Sequence, residues 1–169
     1  MAVAEAAQGP SSATLGFLAF LTLATAAPTT GAEGLAIVGA TVFDGTGAPA
    51  LADAVIVVAQ EKIRSVGPRS HVPLPKGVPY VDGRDLFVVP GRLRQPTVAA
   101  ALREKVQRGT PFERALADVL RAGSAAPADA TIEPGHPADL ALLDKDPRVN
   151  IDNLSPVKRA FVAGREVAP

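Results

Sequence analysis

The chain has 169 residues, 17 basic and 17 acidic side chains, two histidines, no cysteine and no tryptophan. A hydrophobic fraction of 47% is enough to form a folded core, but a closed eight-stranded β/α barrel alone needs roughly 200 residues. Zero net charge offers no basic field for nucleic acid or anionic lipid, and without cysteine there is no disulfide framework, thiolate metal site or cysteine nucleophile.

Taken in chain order, residues 1–32 read as a signal-peptide-like or disordered leader. The apolar run Leu15 to Ala27 is too short for the roughly 20 residues of a spanning helix but suits the core of an export signal. Small residues follow at Ala24-Thr25-Ala26 and Thr30-Gly31-Ala32, either of which would serve as a cleavage site. Residues 1–14 contain Glu5 and no Lys or Arg, whereas an export signal normally starts basic. Periplasmic or secreted placement is therefore one expectation, and a cytoplasmic protein with a disordered leader is the other.

Residues 33–91 read as β structure. Ile37-Val38 and Thr41-Val42-Phe43 are strand segments closed by Asp44-Gly45-Thr46-Gly47, in which Asp-Gly favours a tight turn. Val55 to Ala59 and Lys62 to Val66 form a hairpin over Gln60-Glu61, a two-residue turn that lacks the usual glycine. Pro73, Pro75 and Pro79 enforce an extended, edge-like path, and short strands follow at Val78 to Val81 and Leu86 to Val89. Antiparallel pairing is expected throughout.

Residues 92–130 change period to a helical hairpin and a linker. Val98, Leu102 and Val106 recur every four residues, and Arg108-Gly109 stops this helix. Thr110-Pro111-Phe112-Glu113 combines an N-cap residue, a proline at the first helical position and a capping-box glutamate. Phe112, Leu116, Val119 and Leu120 share the next helix's face, and Gly123 is placed to end it. The stripe Val98, Leu102, Val106, Phe112, Leu116 and Leu120 must pack on the β structure or else mediate a homo-oligomer or a protein contact. Residues 131–169 return to β, at Leu140 to Leu143 and Val157 to Ala163. The whole reads as a mainly β protein, an antiparallel β-sandwich with a short helical hairpin and no complete TIM barrel.

Three stretches together resemble the metal-dependent amidohydrolases, in particular imidazolonepropionase-like and prolidase-like members. They are Gly39 to Gly47 with Ala54 to Val58 and Lys62 to Gly67; Val88-Val89-Pro90-Gly91; and Ile132 to Asp144, continued by Asp146-Pro147 and Val157 to Arg165. The resemblance implies a composite β-sandwich made from both ends of the chain, with a catalytic barrel inserted between them. It also implies hydrolysis of carbon–nitrogen bonds other than peptide bonds, through a bound zinc or another divalent metal.

The family's His-x-His pair should follow Pro90-Gly91, where this chain reads Arg92-Leu93-Arg94-Gln95-Pro96. The stretch from 92 to 122 resembles only helices near the barrel's end. The expectation is therefore a barrel-less, truncated relative that is inactive alone, with no catalytic, cofactor-binding or metal-ligating residue to nominate and no cofactor of its own. The alternatives are a non-catalytic binding or assembly module and a degenerate fragment.

The remaining candidates have bland readings. His71 belongs to an exposed loop and His136 to a turn. Asp144, Asp146, Asn150 and Asp152 fail an EF-hand pattern, because Arg148 occupies the fifth position, Pro147 interrupts the loop and no closing glutamate follows. Asp139 reads as a strand-entry residue that pairs with a backbone amide.

Overall fold

The structure is a computed structural model that describes residues 34–123 and 130–168. The leader expected over residues 1–32, and the linker at 124–129, lie outside the described residues. Eight strands form one mixed sheet: β1 (Gly34–Val42), β2 (Leu51–Ala59), β3 (Lys62–Pro68), β4 (Tyr80–Asp82), β5 (Phe87–Pro90), β6 (Leu140–Leu143), β7 (Arg159–Val162) and β8 (Arg165–Val167). The order is β3-β2-β1-β5-β6-β7-β8, with β4 also beside β1, and the sheet does not close into a barrel.

Two pairings depart from the all-antiparallel expectation. β4 runs parallel to the first half of β1, with Ala36 opposite Tyr80, and β5 runs parallel to its second half, with Thr41 opposite Phe87. The proline-rich path after β3 explains this. It carries the chain back along the sheet, so that β4 starts in the direction of β1 instead of turning tightly beside β3.

Alternation sorts the side chains onto two faces and so into three apolar clusters. Ile37, Ile56, Val58, Val88, Leu140, Leu142 and Phe161 share one face. Their neighbours in sequence, Ala36, Val38, Val55 and Val57, lie on the other face beneath Val72 and Val78, so the segment after β3 is a cover. Val89, Ala141 and Leu143 meet the helices. Strands buried on both sides carry unbroken apolar runs, which is why Leu140 to Leu143 shows no alternation. Gly39, at φ +85°, sits at a register shift in β1, and the extra residue reverses the phase so that Ala40 and Val42 rejoin the cluster of Ile37.

The segment before β6 reaches across to the β2–β3 turn. Ile63 N–H donates to His136 O at 2.9 Å, Gly135 N–H to Ile63 O at 2.8 Å and Ala138 N–H to Glu61 O at 2.9 Å. The turn itself holds Gln60 at φ +50° and Glu61 at φ +67°, the two positive values of a type I′ turn. An L side chain at such an angle is strained by about 1–2 kcal/mol. Glu61→Gly is therefore expected to raise stability by about 1 kcal/mol in urea unfolding, because only an exposed ion pair to Arg165 is lost. A lowered urea midpoint would refute this account of the turn.

The helices are α1 (Pro96–Gln107) and α2 (Phe112–Ala122). α1 ends as expected: Gly109 lies at φ +89°, Thr110 N–H donates to Lys105 O, and Gly109 N–H donates to Val106 O. The start of α2 differs from expectation. Pro111 is extended, at ψ 141°, and occupies the N-cap position, so the helix begins at Phe112 with no side-chain cap. The capping box of Thr110 and Glu113 is not formed, and Glu113 instead faces Arg148 at 3.9 Å. Gly123 is the last cap at φ −94°, without the left-handed turn expected of a glycine there.

Val98, Leu102, Phe112, Leu116 and Leu120 are buried and Val106 is partly buried, all packed on Phe43, Val89, Ala141 and Leu143. Of the two expectations for that stripe, packing on the β structure is the one seen within the chain. Both helices form an excursion between two adjacent strands. Pro90 of β5 pairs with Leu140 of β6, and Gly91 N–H donates to Asp139 O at 2.9 Å.

Candidate functional site

The two histidines sit on different loops. His71 is exposed after β3, its Nδ1 at 3.0 Å from Ser70 Oγ. His136 is half-buried before β6, with Nδ1 at 2.8 Å from Thr131 Oγ1. Thr131 donates its hydroxyl to Glu133 Oε2 at 2.7 Å, and with that single proton committed, His136 Nδ1 is the donor towards Thr131. Among the described residues no three His, Asp or Glu side chains converge as metal ligands. The residues present therefore do not fit the zinc site that the resemblance implies.

Each member of the acidic group has a structural partner or faces water. Asp144 is exposed. Asp146 accepts Arg148 N–H at 2.8 Å and Nη2 at 2.7 Å, and the guanidinium hydrogen bonds hold its carboxyl below the usual carboxylate range. Asn150 Oδ1 accepts Asp152 N–H at 2.9 Å, which starts the 3-10 turn Ile151–Leu154, and Asp152 pairs with Arg103 of α1 at 3.1 Å. Arg148 also lies over the Phe43 ring at 5.2 Å. The cluster thus braces the loop after β6 against the helices, and its cations are guanidinium groups.

Asp139 does what its position suggests. Its Oδ1 accepts Ala163 N–H at 2.7 Å, tying the start of β6 to the β7–β8 turn. Asp139→Ala is expected to cost about 1–3 kcal/mol of unfolding free energy and Asp139→Asn less, because the amide oxygen still accepts. Equal losses from the two in urea denaturation would contradict the hydrogen-bond account.

A cleft of about 430 Å³ opens at the start of β1. The end of β2, Val57 to Ala59, runs along one side, and Pro75 to Pro79 along the other, with Arg64 and Lys76 also in its lining. Sequence reasoning did not find it. Arg64 owes its place to an irregularity in the β2–β3 ladder, where Val57 faces Ser65 but Val58 faces Ile63, and no local motif signals such a bulge. Several other arginines are bound to acids. Arg84 bonds to Asp82 through Nη2 at 2.5 Å and brings that carboxyl down to about 2, first through side-chain and then through backbone hydrogen bonding. Arg159 holds Glu166 and likewise lowers its pKa.

No family model and no curated protein matches the chain. Among solved structures it is similar to phenylurea hydrolase B, at 33% identity over 34% of this chain and 13% of that chain, with a TM-score of 0.33. It is similar to a putative prolidase from Bifidobacterium longum at 26% identity over 44% of this chain and 22% of that one, with a TM-score of 0.32. A third, molinate hydrolase, shares 16% identity over 61% and 29% of the two chains, with a TM-score of 0.33. These neighbours are amidohydrolase-family enzymes, and the chain spans less than a third of the length of each. No helix among the described residues is long and apolar enough to cross a membrane.

Proposed function

We propose that this chain is a non-catalytic amidohydrolase-like module, corresponding to the β layer that accompanies a catalytic barrel in complete family members. The observation that carries the reading is the excursion between β5 and β6. In the resemblance this is where metal-bearing strands belong, and here the described residues within it hold no strand, and their two α-helices pack on Phe43, Val89, Ala141 and Leu143. Lowering the pKa of bound water requires several converging ligands and an open position. His71 and His136, each with Nδ1 beside a hydroxyl, do not offer that set. Export directed by residues 1–32 belongs to the same proposal, and the N-terminal sequence of the protein recovered from its native compartment tests it.

The activity experiment uses the purified full chain. Zinc content is expected to lie well below one equivalent, with no hydrolysis of N-acyl amino acids, cyclic amides or dipeptides above a buffer blank. One equivalent of tightly held zinc together with turnover would overturn the proposal. Cooperative thermal unfolding in the same preparation is expected of a true module, and a degenerate fragment would melt without cooperativity.

A further inference from the structure

We infer that the cleft at the start of β1 binds a small amphipathic anion, a carboxylate carried on an aliphatic body. Its walls and rim differ in chemistry. Ala59, Pro75, Val78 and Pro79 supply apolar surface, whereas Arg64 and Lys76 supply positive charge, and among the described residues no acidic side chain lines the cleft. The volume, about 430 Å³, is in the range of small-molecule sites.

Both cations are placed there by the backbone. The bulge in β3 inserts Arg64 between Ile63, which faces the main core, and Ser65, which lies opposite Val57. Arg64 and Ser65 are thereby both directed to the outer face, where strict alternation would have allowed only one of them. Lys76 stands in the cover after β3, which is anchored by Val72 and Val78 packing on Val55 and Val57. Arg69, Arg84, Arg103, Arg148 and Arg159 all have carboxylate partners. Among the described residues Arg64 and Lys76 form no ion pair, so an anion entering the cleft does not have to displace one. An aliphatic chain then lies against Val78 and Pro79, and the carboxylate lies between the two cations.

This inference is independent of whether the chain hydrolyses anything, so its test is binding alone. The full chain, labelled with ¹⁵N, is titrated with octanoate below its micellar concentration, and with acetate and 1-octanol as separate probes of charge and apolar body. Octanoate is expected to shift the amides of Gly34, Gly77 and Val78 saturably, whereas acetate and 1-octanol at the same concentration produce much smaller changes. The double variant R64E/K76E is expected to weaken octanoate binding at least about tenfold. Its thermal midpoint should stay unchanged, because both side chains are exposed. Absence of saturable shifts at those amides would overturn the inference. So would equal binding of octanoate by the double variant, or binding of 1-octanol or acetate as tight as that of octanoate.

Discussion

Phe43→Ala is expected to lower the free energy of unfolding by about 3–5 kcal/mol, the range for a fully buried aromatic truncated in a packed core. Phe43 is 1% exposed. Its ring meets Phe112 edge-on at 5.0 Å and Phe87 in a stacked arrangement at 6.5 Å, and it carries the Arg148 guanidinium on its face. It therefore joins β5, α2 and the loop after β6, and its removal leaves a cavity with three walls that belong to different elements. Domains of this size are stable by about 5–15 kcal/mol, so the variant should be marginal at ambient temperature. Urea unfolding provides the measurement, with Val149→Ala as the reference. Val149 is 83% exposed and should change stability by less than about 0.5 kcal/mol. A loss below about 1 kcal/mol for Phe43→Ala would mean that the helices do not pack on the sheet as described.

The second large effect is expected at Gly45. It lies at φ +81° in the turn after β1, where Asp44 Oδ1 accepts Thr46 N–H at 2.8 Å and the Thr46 hydroxyl at 2.7 Å. A β-carbon there would come within 2.8 Å of Ala130 O, 2.9 Å of Leu120 Cδ1 and 3.2 Å of Pro90 Cγ. Gly45→Ala combines about 1–2 kcal/mol of backbone strain with about 1–3 kcal/mol of overpacking. Gly77→Ala isolates the first contribution, because Gly77 has φ +77° with nothing within 4 Å of the added carbon. The midpoint of urea unfolding should fall clearly further for Gly45 than for Gly77, and equal shifts would show that the turn after β1 is not wedged between α2 and β5.

The sequence was most legible where a single element carries its own signal. The β2–β3 hairpin, the α1 stop at Gly109 and the apolar stripe of the two helices follow from alternation, turn chemistry and the four-residue period. The parallel placement of β4 and β5 was not legible, because Val81 and Val88 read the same whichever way the neighbouring strand runs. Nor was β8, where Arg165, Glu166 and Val167 form an edge strand with no buried residue to impose a pattern. The cap of α2 was misread because Pro111 adopts an extended conformation and displaces Thr110 from the capping position.

Of the candidate residues, Asp139 was legible as a local backbone partner. The covering of the helical stripe was left open, since the surface that buries it comes from β5, β6 and Phe43, distant in sequence. The cleft required two distant events at once, a bulge at Arg64, which leaves no local trace, and a cover that returns over Val57, whose prolines mark an extended path without marking the surface it crosses.

The pairing of Pro90 with Leu140 has a consequence for the chain as a polymer. The ends of the segment between them are held one hydrogen-bonded pair apart by the sheet itself, so the entropy of closing that loop grows only with the logarithm of its length. Doubling it costs about 0.6 kcal/mol. The β scaffold is thus nearly indifferent to how much chain is threaded through this gate, provided that whatever is threaded there covers Val89, Ala141 and Leu143 from water. Segments of very different size can be exchanged at this position without shifting the register of the strands that hold it.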